Sequence, residues 1–80
     1  MDRDSLVRRV LNLLTEIAPD VDPAKVIPGI DFRDQFDFDS MDPLNFAIAL
    51  HRDLGVDVPE ADYSQLASLD KCVAYLAERE

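Results

Sequence analysis

One cysteine, one histidine and two glycines in eighty residues leave little room for several kinds of chemistry. The lone Cys72 permits no internal disulfide framework and suits a reducing cytoplasm. A single Cys with a single His cannot furnish a four-ligand zinc centre. Two glycines cannot build a glycine-rich phosphate loop. No apolar run reaches the length of a signal peptide or a membrane span. Basic residues are scarce too: eight against seventeen acidic ones give a net charge of −9. Nucleic acid and anionic membrane surfaces are therefore poor partners. Proteins with basic patches are the natural counterparts, met in fast, salt-sensitive encounters. The expectation is a cytoplasmic monomer, residues 1–80 forming one domain near the lower size limit for folding without staples.

What is present is 48% hydrophobic and patterned for helices. Leu6, Val10, Leu13, Leu14 and Ile17 recur at helical spacing, with Asp4 or Ser5 as the expected cap and Pro19 as the stop. From Pro19 to Asp39 no period is sustained. Val21, Val26, Ile27, Ile30, Phe32 and Phe36 are expected to anchor this long loop on the core, with a short helical turn near Pro23 to Ile27. A second helix runs from about Ser40 to Leu54, ended by Gly55. At about 100° per residue, Phe46, Ala47, Leu50 and Leu54 share its core face. Met41, Leu44 and Ile48 cluster on nearly the opposite side, the one shared with Asn45, His51 and Arg52. Either the long loop covers that second apolar face or it meets a partner protein, and its place at the Ser40 end favours the partner. Val56 and Val58 pin an extended connector, and Asp62 to Ala67 suggests a short turn through Tyr63 and Leu66. Ser68 then caps a last helix whose core residues are Leu69, Cys72, Val73 and Leu76.

The acids are focused: Asp31, Asp34, Asp37, Asp39 and Asp42 crowd one loop and helix start, opposed only by Arg33. Among them stands Ser40, where irregular chain turns helical. A serine there can be a simple N-cap, with Asp42 and Pro43 suited to the first turn behind it. It can also be a functional hydroxyl. Nucleophilic catalysis fails, because His51 lies eleven residues along the same helix, about 16 Å of rise away. There is no G-x-S-x-G elbow either. A calcium loop fails as well, since Met41, Asp42 and Ile48 stand where a ligand, a glycine and a glutamate are required. No specific metal site is expected. What survives is a hydroxyl that another enzyme could modify.

Here the residues resemble a family. Asp39-Ser40-Met41-Asp42 is similar to the Asp-Ser-Leu/Met motif of acyl carrier proteins. The likeness spans nearly the whole chain: the helix–long loop–helix layout, Phe32 and Phe36 before the motif, the Val56-Asp57-Val58-Pro59 connector, and the Ser68-Leu69 and Tyr75-Leu76 ends of the last helix. The resemblance implies an all-α four-helix bundle, three main helices plus one short one, with a long loop between the first two. It implies that Ser40 carries covalent 4′-phosphopantetheine and that Asp39 helps the phosphopantetheinyl transferase engage. It further implies a carrier and no enzyme, presenting acyl thioesters to acyl-transferring or acyl-activating enzymes of fatty-acid or specialised lipid or polyketide synthesis. The partner surface would comprise Asp37, Met41, Asp42, Leu44, Asn45, Ile48, His51 and Arg52. Two departures stand out. Asp37 replaces a common glycine, and Asn45, His51 and Arg52 occupy places that are acidic in the general fatty-acid carriers, which points to a specialised one. An aminoacyl carrier is the alternative within the family. An acidic helical interaction module, with Ser40 only a cap, is the alternative outside it.

Overall fold

The computed structural model describes residues 2–39 and 41–79. Helix α1 spans Arg3–Ile17 and buries Leu6, Val10, Leu13 and Leu14 on one stripe. Its cap is Asp2, whose carboxylate accepts the Ser5 N–H at 2.8 Å. The cap thus lies earlier than the expected Asp4 or Ser5. Asp2 has the extended backbone an N-cap needs, while Asp4 already sits in the first turn, where it complements the helix dipole.

Helix α2 is a single turn, Phe32–Gln35, and α3 runs Asp42–Leu54. Gly55 ends α3 in the left-handed region at φ 69° and returns its N–H to the His51 carbonyl at 3.0 Å. A side chain there would meet open space, so it is the backbone angle that requires glycine. A 3-10 segment, Glu60–Leu66, follows the connector, and α4 spans Leu69–Arg79. Ser68 accepts the Lys71 N–H at 3.2 Å, as its expected capping role requires.

Helix α1 packs against both α3 and α4, and the Glu60–Leu66 segment touches those same two helices from the other side. This closes the small all-helical bundle, with the short fourth member wound as a 3-10 helix. Phe46, Ala47, Ala49 and Leu50 of α3 meet Leu66, Leu69, Cys72, Val73, Tyr75 and Leu76 in one core, sealed by Val56 and Val58. Cys72 is fully buried, and desolvation pushes its thiol up to about 12, so it packs as a small apolar group. Among the described residues no helix is long and apolar enough to cross a membrane.

The long loop is held by two devices. Phe32, Phe36, Phe38 and Phe46 form one aromatic cluster, with centroids 5.5 to 6.2 Å apart, that fastens the segment before Ser40 onto α3. A short 3-10 turn does form, at Pro23–Lys25. Beyond it, the Gln35 amide accepts the Ile27 N–H at 2.8 Å and donates to the Ile27 and Ile30 carbonyls at 2.9 and 2.8 Å. Ile27 and Ile30 are therefore not core anchors. They are 55% and 42% exposed, because Gln35 satisfies the turn's backbone and the isoleucines are left outside. Val21 and Phe32 are the buried anchors, with Val26 and Phe36 half-buried.

Candidate functional site

The start of α3 is assembled by carboxylates. Asp39 Oδ1 accepts the N–H of Met41 at 2.8 Å and of Asp42 at 3.2 Å. In return Asp42 Oδ2 accepts the Asp39 N–H at 3.0 Å, and the Asp39 carbonyl accepts the Asp42 N–H at 3.2 Å. Residues 39 and 42 thus cap each other reciprocally, the arrangement of a capping box with aspartate at both positions. Sequence reasoning offered Ser40 as one possible cap and began the helix at about that position. The helix begins at Asp42, Pro43 occupies its first turn, and Asp39 supplies the capping oxygen. Ser40 itself lies outside the described residues. Its neighbours Asp39 and Met41 are both exposed.

The expected second face of α3 is present. Met41 and Ile48 are each 57% exposed and Leu44 37%, while Phe46, Ala47 and Leu50 are buried behind them. Asn45 and His51 are exposed on the same helix. Asp37 is exposed in the loop just before the Asp39–Asp42 ring, and Asp42 is half-buried within it. Arg52 is brought elsewhere. Its Nη2 spans both Glu16 carboxylate oxygens at 3.0 Å, and its Nε donates to Asp53 at 2.8 Å. Those bonds hold Arg52 more firmly protonated, and the hydrogen bond from Arg52 lowers the Asp53 carboxyl below its ordinary value. Of the expected partner residues, then, Arg52 has its charge shared with α1 and Asp42 is half-buried in the cap, while Asp37, Met41, Leu44, Asn45, Ile48 and His51 are exposed.

Sequence reasoning missed a groove. It lies against the first turn of α3, where Phe38, Pro43, Tyr63 and Leu66 form apolar wall and Arg33 and Lys71 add cations. Four separate segments contribute to it, so no local pattern announces it. Among the described residues, no group of three or more His, Cys, Asp or Glu is placed to hold a metal ion.

A family model described as a phosphopantetheine attachment site matches residues 5–76. The mitochondrial acyl carrier protein 2 of Arabidopsis thaliana is 29% identical over 77 residues, covering 96% of this chain and 60% of that protein. The acyl carrier protein of Rubrobacter xylanophilus is 25% identical over 80 residues, covering 100% of this chain and 98% of the relative. The meromycolate extension acyl carrier protein of Mycobacterium tuberculosis is 23% identical over 78 residues, or 98% and 67% of the two chains. The chain therefore spans three-fifths of the Arabidopsis protein and nearly all of the Rubrobacter one.

Proposed function

Starting from the fact that this chain belongs to the acyl carrier protein family, whose members bear covalent 4′-phosphopantetheine, we propose that Ser40 is its attachment residue. Residues 1–80 act in this reading as one carrier domain, monomeric and cytoplasmic. Family members are carriers and not catalysts, and the same role is proposed here. The bound arm supplies a thiol that holds an acyl group as a thioester.

The observation that carries the proposal is the reciprocal cap between Asp39 and Asp42, beside exposed Met41, Leu44 and Ile48. The cap fixes the backbone on both sides of the serine, so a modifying enzyme meets a set geometry and avoids the entropy of ordering it. The apolar side chains give that enzyme, and later acyl-handling enzymes, a surface to bury. Asp39 and Asp37 lend negative charge to the same patch, matched to basic partners, and Asp39 takes part in transferase recognition. Tethering the acyl group to a docked carrier raises its effective concentration at the partner's active site. Asn45 and His51, outward-facing and not acidic, are proposed to select a specialised set of partners.

The test is intact mass after co-expression with a broad-specificity phosphopantetheinyl transferase. The expected result is one added arm in the wild-type chain and none in Ser40→Ala. A wild-type chain that stays unmodified would mean an acidic interaction module with no carrier role.

A further inference from the structure

Four consecutive residues, Ile27-Pro28-Gly29-Ile30, stand exposed, and the two isoleucines are large apolar side chains left in solvent. The turn is nevertheless held in place. Gln35 bonds the Ile27 N–H and both isoleucine carbonyls, and the Ile30 N–H returns to the Ile27 carbonyl at 3.2 Å. From the start of α4 the Asp70 N–H donates to the Pro28 carbonyl at 3.1 Å. These bonds fix the turn with its apolar side chains outward. A surface ordered in advance loses little entropy when a partner covers it.

The same turn lies at the end of the bundle that carries the proposed attachment residue. Two residues beyond Ile30, the Phe32 N–H donates to the Ala67 carbonyl at 2.7 Å, just before α4. The Phe32 ring stands 6.2 Å from that of Phe46, in the first half of α3. Between Ile30 and the Asp39–Asp42 cap the chain carries Asp31, Asp34 and Asp37 against Arg33. Asp34 and Asp37 are exposed and form no ion pair among the described residues. The chain thus runs apolar, acidic, apolar: the isoleucines, the aspartates, then Met41, Leu44 and Ile48.

Enzymes that act on a loaded carrier hold its arm as well as its surface. The enzyme that attaches the arm meets the bare chain and has protein surface alone to bind. A standard interface takes roughly 800 Å² from each side, about one-sixth of this chain's 4916 Å². Three side chains on α3 supply only part of that. We propose that the Ile27–Ile30 turn is a second contact for the enzyme that modifies Ser40, whose matching surface sets cations between two apolar patches. This rests on the proposed attachment at Ser40. The exposed aspartates complement those cations, and the isoleucines supply apolar area that α3 lacks.

The experiment follows arm attachment by the broad-specificity transferase as carrier concentration is varied, in the wild type and in an Ile27→Ser, Ile30→Ser double variant. The double variant should lose roughly tenfold in kcat/KM, carried by KM with kcat unchanged. The lost contact is apolar, so the loss should persist at high salt, whereas Asp34→Asn should matter only at low salt. Thermal midpoints of the double variant and the wild type should agree within a few degrees, since exposed side chains carry little stability. Should the double variant melt much lower, a photoreactive benzoylphenylalanine in place of Ile27 decides: a cross-link to the transferase supports the contact, and none overturns it. An unchanged KM in a folded double variant, or a loss confined to kcat, would also overturn it. Failure of the wild type to gain any arm would overturn the Ser40 reading and this one with it, whereas loading with an unchanged KM overturns the second contact alone.

Discussion

The two ends of α3 are held in opposite ways. Its start is self-contained: Asp39 and Asp42 cap one another within four residues, over a cluster of phenylalanines drawn from the preceding loop. Its end is tied outward, by Arg52 reaching Glu16 on α1, 36 residues away in sequence, and Asp53 beside it. The difference bears on function. A helix start whose bonds are local can be docked upon and modified without loosening the bundle. A helix end braced against α1 keeps the rest in register while that happens. The acids at the start are thus scaffold and surface at once, while the basic group at the end is chiefly a brace.

The largest effect should come from cutting the start loose from below. Phe32 is fully buried and touches the other three phenylalanine rings. Phe32→Ala should cost about 3–5 kcal/mol, by lost transfer energy and the cavity left behind. That is a large share of the roughly 4–12 kcal/mol total expected for a chain of this length. Urea denaturation followed by circular dichroism measures it. Phe32→Leu, which keeps most of the volume, should lose far less. An alanine variant within about 1 kcal/mol of wild type would mean that the loop is not anchored by this ring.

Next comes the cap itself. Asp39→Ala should destabilise the chain by about 0.5–2 kcal/mol, and Asp39→Asn, which keeps an acceptor oxygen, by only a few tenths. If alanine at position 39 were silent, the capping oxygen would have to come from elsewhere, and Ser40 would return as the structural cap that its sequence position first suggested. Arm attachment measured on the same variants separates the roles. An asparagine variant that is stable yet modified slowly would assign the lost rate to the missing charge.

That ambiguity shows where the sequence was readable and where it was not. The two faces of α3, the valine pins at 56 and 58 and the Ser68 cap each follow from a periodicity or a capping residue with no close rival. At 39 and 40, Asp and Ser are nearly equal capping residues, so residue type alone does not choose between them. The same held for Asp2 against Asp4 and Ser5. Helix α2 is one turn long and has no period to detect. Ile27 and Ile30 look like anchors until Gln35, eight and five residues on, closes the turn beneath them. The groove and the Arg52–Glu16 contact join segments distant in sequence, so neither leaves a local trace.

The smallest effect belongs to the brace. Arg52 and its partners are exposed, so Arg52→Gln should lower stability only slightly at neutral pH, and less at high salt. Its pH dependence is more telling than its size. The Arg52 hydrogen bond holds the folded Asp53 carboxyl below its ordinary 3.8, so the stabilisation is complete above that value and is lost as pH falls through the lowered one. The gap between wild type and Arg52→Gln should therefore be open at pH 7 and close on acidification. A double-mutant cycle with Glu16→Gln tests whether the two helices are coupled through this contact. Coupling near zero would make Arg52 a free surface charge and erase the contrast between the two ends. It would then count, with Asn45 and His51, among the groups a partner reads.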